Sequence, residues 1–137
     1  MVKLIMGLKG AGKTKQLVHD INDAIQNESG SLVCIEYGDK LRYDIDRRVR
    51  LIEFQDYKLA GSVPFLKGFI SGLHASNFDI SHIFIDSFYK LLTDPAVKDV
   101  EDFLLWCERF GETNGVSFTV LVSEDPAKIP ESVKKFV

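Results

Sequence analysis

Long apolar runs and cysteine-rich segments are both missing from this 137-residue chain. No segment approaches the roughly 20 apolar residues that a membrane-spanning helix needs. Because the first predicted strand begins at residue 2, we also expect no secretory signal peptide. Cys34 and Cys107 are far apart and have apolar neighbours, which favours reduced thiols in the core over a disulfide or a metal site. The expected location is therefore cytoplasmic.

A strong excess of charge of one sign is also lacking. The formal net charge is -3 and acidic and basic residues are interspersed, so no nucleic-acid partner is predicted from charge. The sequence contains no linker, repeat or low-complexity segment, and its length corresponds to about one domain. We expect residues 1–137 to form a single domain. His19, His74 and His82 have no spacing suited to a metal site or a nucleophilic triad.

What the chain does contain is a phosphate-binding motif near its start. Residues 7–14 read Gly-Leu-Lys-Gly-Ala-Gly-Lys-Thr and match the Walker A or P-loop pattern G-x-x-x-x-G-K-[ST] at every fixed position. Glycines at positions 7, 10 and 12 let the backbone take positive φ and approach phosphates closely. The alternative is a glycine-rich turn that matches by chance. The predicted nucleotide-binding residues are Gly7, Leu8, Lys9, Gly10, Ala11, Gly12, Lys13, Thr14 and Lys15.

Each polar group of this motif has an expected role in binding a magnesium nucleotide. Lys13 is expected to reach the β- and γ-phosphates, and Thr14 to bind Mg²⁺ through its hydroxyl. Asp86 directly follows the apolar run Ile-Phe-Ile, which is the Walker B arrangement and supplies a second metal ligand. The alternative for Asp86 is a carboxylate that only caps a turn.

Strand and helix patterns alternate along the rest of the chain, which predicts a parallel sheet with helices on both faces. Predicted strands occupy residues 2–6, 31–36, 49–54, 81–86 and 116–122. Helices are expected after the P-loop, over residues 62–75 with Ser62 as N-cap, and around residues 100–110, with a short helix in residues 126–137. Gly68 and Gly72 predict a face of the second helix that packs closely on a neighbour. The fold class is α/β, a three-layer sandwich with a mostly parallel five-stranded sheet.

The Ile-Phe-Ile-Asp-Ser segment and the preceding order of elements resemble the RecA-like branch of P-loop NTPases over residues 1 to about 123. The chain is also similar to short P-loop proteins of Gram-positive bacteria without an established role. The resemblance implies a minimal RecA-like core with the strand order third, second, fourth, fifth, first. It further implies a carboxylate that orients the attacking water, for which Glu36 and Asp39 compete. Ser123 resembles the polar sensor residue of such folds, although an ordinary turn serine fits as well.

At two positions the sequence lacks a residue that is characteristic of a particular group of P-loop proteins, which disfavours membership of that group. Leu8 occupies the position where the ParA and MinD group has an additional lysine, and Ser87 occupies the position of the catalytic glutamate of RecA-like thymidine kinases.

Five basic residues lie in residues 40–50, where one could act as an arginine finger on a neighbouring subunit. Interleaved aspartates favour a solvated loop instead. Trp106 either anchors a partner or packs at the edge of the core, and the second is commoner.

Together these features predict a domain that binds Mg²⁺ and ATP and hydrolyses ATP slowly if at all, with a conformational change in the loops at residues 37–47 and 87–96. Lys13, Glu36 and Asp39 are the candidate catalytic residues. Two alternatives stay open: a non-hydrolysing, nucleotide-responsive interaction module and a small-molecule kinase. The first would act through a protein partner or a homo-oligomer.

Overall fold

The computed structural model describes residues 1–57 and 61–137, in which five strands alternate with three α-helices. The strands are β1 (Val2–Gly7), β2 (Ser31–Glu36), β3 (Arg50–Glu53), β4 (Ile80–Ile85) and β5 (Ser117–Ser123). The α-helices are α1 (Lys13–Asn27), α2 (Val63–Ser76) and α3 (Val97–Asn114). Short 3-10 helices lie at Phe54–Tyr57, Phe88–Leu91, Pro126–Lys128 and Glu131–Phe136. No helix in the described residues has the length and apolar character needed to cross a membrane.

The five strands form one sheet in the order β1-β5-β4-β2-β3, and every neighbouring pair is parallel. This is the predicted order counted from the opposite edge, so the prediction is confirmed. The register pairs Gly7 with Ser123 and Ile85 with Val120. Because parallel strands end at a common edge, the P-loop, Asp86 and Ser123 all follow strands at the same edge of the sheet.

Helices cover both faces of the sheet, which confirms the predicted three-layer α/β fold. On one face, Leu17 and Ile21 of α1 are fully buried in a cluster with Phe84 of β4. On the other face, α2 and α3 contribute residues such as Leu66 and Phe103 to a larger cluster. Each such buried side chain stabilises the fold by about 1.5–3 kcal/mol. The alternation of side chains along each strand therefore fixes which helix a strand residue contacts.

The structure corrects the predicted boundaries at two places. The third strand ends at Glu53, and Phe54 begins a 3-10 helix because its ring turns into the core and packs edge-on against Phe69, 5.2 Å between centroids. The C-terminal segment forms two separate 3-10 helices instead of one helix, since Pro130 lies between them and has no N–H to continue helical hydrogen bonding. The prediction of Ser62 as the N-cap of α2 is confirmed, because its hydroxyl accepts a hydrogen bond from the Phe65 N–H.

Three smaller expectations also have clear outcomes. The expected close packing at Gly68 and Gly72 is wrong, because an added Cβ at either position would meet open space. Trp106 is half-buried and packs on Phe110, 4.8 Å between ring centroids, so it lies at the edge of the core. Cys34 and Cys107 are buried free thiols, as predicted.

A buried histidine connects α1 with the middle of the sheet. The ring of His82 on β4 is stacked on Phe84, with 4.0 Å between centroids. Its Nδ1 lies 2.9 Å from Oε2 of Glu28, which caps the C-terminus of α1, and its Nε2 lies 2.9 Å from the hydroxyl of Thr119. Burial lowers the pKa of His82, and the Glu28 carboxylate offsets only part of that effect. The neutral ring is therefore the form that the fold favours.

We expect the free energy of unfolding to fall as the pH is lowered from about 7 towards 5, partly because of His82. An unfolded histidine binds a proton near pH 6.5, whereas the pKa of His82 in the folded chain is lower. In this range the unfolded state binds more protons, so acidification favours unfolding. Urea unfolding at several pH values should show a shallower dependence for His82→Gln. His19→Gln, at an exposed position on α1, is the control, and equal pH slopes for the parent and His82→Gln would contradict the assignment.

Candidate functional site

The P-loop connects the end of β1 to the start of α1 through a tight turn. Gly10 and Gly12 have φ of 90° and 79°, in the left-handed region that only glycine enters at little cost. Gly7 also has positive φ, 155°, so the prediction for the three glycines is confirmed. The N–H of Ala11 donates to the carbonyl of Leu8 over 3.2 Å and closes the turn.

The N-terminus of α1 opens onto this loop. Its N-cap residue is Gly12, which has no side chain that could accept hydrogen bonds from the first turn. The first turn contains Lys13, Thr14 and Lys15 and no carboxylate. The first N–H groups of a helix have no partners within the helix and carry a partial positive charge. This end of α1 is therefore suited to bind an anion.

Lys13 lies over the loop. Its side chain is 8% exposed, and Nζ donates to the Leu8 carbonyl over 2.8 Å. A buried ammonium group is usually paired with a carboxylate, whereas here the described contact is to a neutral oxygen. The full positive charge of Lys13 therefore stays available to an anion bound on the loop.

Asp86 follows β4 and is buried directly behind the cleft surface. Its backbone N–H donates to the carbonyl of Ile35 over 2.9 Å, and the Ser87 hydroxyl donates to Oδ1 over 3.3 Å. Burial raises the pKa of Asp86, while Ser87 and the charges of nearby lysines act in the opposite direction. A cation bound at this carboxylate would stabilise its ionised form. Ser87 itself has φ of 55°, an uncommon conformation for serine.

A cleft of about 560 Å³ lies over the P-loop. It brings together the predicted residues Lys13, Thr14 and Ser123 with residues from the loops that follow β2 and β4. Gly7, Leu8, Ala11 and Asp86 are not among the residues that line it. The lining residues are Lys9, Gly10, Gly12, Lys13, Thr14, Lys15, Lys40, Ser87, Lys90, Leu121 and Ser123.

The two competing carboxylates, Glu36 and Asp39, lie outside this lining. Glu36 is 2% exposed, and its two oxygens accept hydrogen bonds from the N–H groups of Lys40 and Leu41, over 3.0 and 3.2 Å. Burial raises the pKa of Glu36, and these two hydrogen bonds lower it in part. Asp39 is exposed. Glu36 therefore organises the loop after β2, and its burial keeps it away from water in the cleft.

Sequence reasoning missed Lys90 as a residue of the site and treated Lys40 only as part of a basic loop. Both line the cleft, although they are 50 residues apart in the chain. Lys40 follows β2 and Lys90 follows β4, which are neighbouring strands. These two lysines could have been predicted from sequence, because each is a basic residue a few positions after a predicted strand of a P-loop fold.

Two of the remaining basic residues of the loop after β2, Arg42 and Arg48, behave as the solvated-loop interpretation predicts. Arg42 forms a two-pronged ion pair with Glu53, 2.8 Å at the shorter contact. Arg48 pairs with Asp46 over 2.9 Å, and this pairing lowers the pKa of Asp46 to about 2. Their charges are neutralised locally, so neither guanidinium is free to reach a second subunit without breaking its ion pair.

Comparison with solved structures identifies a similar fold in the flagellar accessory protein FlaH from Methanocaldococcus jannaschii. The two chains superpose with a TM-score of 0.60 at 16% sequence identity, over 98% of this chain and 65% of FlaH. The fold is RecA-like. This chain thus spans less than two thirds of FlaH. Scans against protein-family models and against curated protein sequences give no match.

We expect Glu36→Gln to loosen the loop after β2. A glutamine offers one acceptor oxygen where Glu36 offers two, so at least one buried N–H loses its partner. Amide hydrogen exchange at Lys40 or Leu41, measured by NMR, should become about tenfold faster or more. Asp39→Asn is the matched control, because Asp39 is an exposed carboxylate in the same loop. Unchanged protection in Glu36→Gln would show that the loop does not depend on this carboxylate.

Proposed function

We propose that this chain binds a nucleoside triphosphate together with Mg²⁺, with ATP as the expected nucleotide. The observation that carries the proposal is the glycine loop, which turns directly into the uncapped N-terminus of α1 and positions Lys13 beside it. Such a loop directs backbone N–H groups and a partial positive charge at the same place. The RecA-like fold is consistent with this use of the sheet edge.

The metal site of the proposal combines Thr14, Asp86 and the nucleotide itself. Among the described residues, no group of three or more His, Cys, Asp or Glu side chains could hold a metal ion alone. Mg²⁺ in nucleotide sites commonly uses one or two protein ligands, phosphate oxygens and water. Thr14 lines the cleft, and so does Ser87, the residue that follows Asp86, so these two protein ligands and the phosphate oxygens would meet there.

We infer that any hydrolysis is slow. Lys13 and the loop amides would stabilise charge on the γ-phosphate, but neither candidate carboxylate lines the cleft. Glu36 is buried and bonded to two backbone N–H groups, and Asp39 is exposed elsewhere on the loop. The same observation favours the alternative of a nucleotide-responsive interaction module. In both cases the loops after β2 and β4, which line the cleft, would transmit the presence of the nucleotide to a partner.

Lys13→Ala is expected to weaken binding of a non-hydrolysable ATP analogue by about tenfold or more, since a charge-assisted contact to phosphate is lost. Asp86→Asn is expected to reduce the gain in affinity that Mg²⁺ provides. Isothermal titration calorimetry with Mg²⁺ and with a chelator measures both effects. Lys98→Ala, at an exposed position on α3, serves as the control. Absence of Mg²⁺-dependent binding by the parent, or parent-like binding by Lys13→Ala, would overturn the proposal.

Phosphate release from ATP should proceed at about 10⁻² s⁻¹ or below, the range of P-loop domains that hydrolyse nucleotide slowly without an activating partner. A colorimetric phosphate assay with the purified chain measures this rate, and the Lys13→Ala variant gives the background. A rate well above this range would show that an efficient catalytic carboxylate is present. A rate equal to the background would select the non-hydrolysing module.

A further inference from the structure

Lysines without a carboxylate partner are concentrated at the cleft. Five of them, Lys9, Lys13, Lys15, Lys40 and Lys90, line the cleft. Between described residues the structure has seven ion pairs, and none of them includes a lysine of the cleft. Elsewhere Lys3, Lys67 and Lys134, for example, pair with carboxylates. Positive charge therefore accumulates around the P-loop although the chain is acidic overall.

Lys40 is held in position by its own loop. Its N–H donates to Glu36 Oε1, and the N–H of the next residue, Leu41, donates to Oε2. The Leu41 side chain is buried in the cluster beneath α1. The backbone of the loop is thus tied to the end of β2 and to the core, while the Lys40 side chain remains exposed at the cleft.

Lys90 lies on an equally well-anchored segment, the 3-10 helix Phe88–Leu91. Phe88 and Leu91 are fully buried on either side of it. The hydroxyl of Tyr89 donates to Oε1 of Glu124, just beyond β5, over 3.0 Å. The N–H of Lys90 donates to the carbonyl of Ser87 over 2.9 Å. These contacts fix the backbone from which the exposed Lys90 side chain reaches the cleft.

Both lysines act on the side of the cleft where Asp86 lies. The N–H of Lys90 bonds to Ser87, the residue that follows Asp86, and Lys40 follows β2, whose Ile35 carbonyl accepts a hydrogen bond from the Asp86 N–H. Both lysines line the cleft together with Ser87 and Lys13. In the proposed complex Asp86 marks the position of Mg²⁺ and of the terminal phosphate, so these two ammonium groups would face the end of the triphosphate.

We propose that Lys40 and Lys90 form a pair of cations, supplied within one chain, that recognises the terminal phosphate and distinguishes a nucleoside triphosphate from a diphosphate. This inference rests on the proposed nucleotide binding. It assigns to two lysines of the same chain the role that a basic finger from a neighbouring subunit would otherwise have. It also gives the loops after β2 and β4 a direct contact that differs between the two nucleotides, which any nucleotide-driven change in those loops requires.

The test measures the affinities of the Mg²⁺ complexes of ADP and of a non-hydrolysable ATP analogue by calorimetry. Lys40→Ala and Lys90→Ala should each reduce the preference for the triphosphate by about three- to tenfold, and the double variant by more, while ADP binding changes little. Lys90→Arg should retain the preference, because it keeps the charge. Lys98→Ala on α3 is the surface control, and circular dichroism verifies that each variant is folded.

The outcomes separate the two proposals. If the parent binds neither nucleotide, both fail. If the parent binds both but the variants keep its triphosphate preference, or lose ADP and ATP binding equally, only the role of Lys40 and Lys90 fails. A triphosphate preference that increases with protein concentration would also overturn this role, since it would indicate a group supplied by a second chain.

Discussion

Parallel pairing of five strands is the constraint on which the rest of this molecule depends. It places the carboxyl end of every strand at one edge of the sheet, so parallel pairing alone brings together residues that are far apart in sequence. The register sets Gly7 beside Ser123, and the backbone N–H of Asp86 bonds to Ile35 just before Glu36. A slip of one residue in any strand would exchange its two faces and move the residues that follow it. The two apolar clusters, one on each face, hold the register in place.

The sequence predicts the fold and the P-loop well because both depend on local patterns. Buried strands, the helix after the loop and the order of strands follow from apolar spacing, from a glycine motif and from a family resemblance. The proximity of Lys40 and Lys90 cannot be predicted from local patterns, because these lysines belong to two loops that meet only after β2 and β4 pair. The hydrogen bonds that the loop N–H groups donate to Glu36 cannot be predicted from sequence either. A carboxylate at the end of a strand has the same sequence pattern whether it binds water, a metal ion or the backbone.

The net charge of the chain does not describe the local charge around the cleft. The chain totals -3, yet the acidic excess lies away from the cleft, and most of the ion pairs are on the surface, where each contributes about 1 kcal/mol or less. Unpaired lysines around the P-loop repel one another and so cost some stability in the absence of an anion. A bound phosphate would relieve that repulsion. Binding and stability are then coupled, because a ligand that binds only the folded state stabilises it.

The groups behind the cleft carry the opposite sign. Asp86 and Glu36 are both buried, and burial raises the pKa of each. Their charges also contribute to the raised pKa of the Cys34 thiol, whose main cause is burial, so the negative field extends into the sheet between them. The site therefore combines lysines that line the cleft with the buried carboxylates Asp86 and Glu36. A metal-free polyanion would match only the front of this site, whereas a magnesium nucleotide carries a cation for the carboxylate and phosphates for the lysines. The arrangement of charge is thus suited to the proposed magnesium nucleotide.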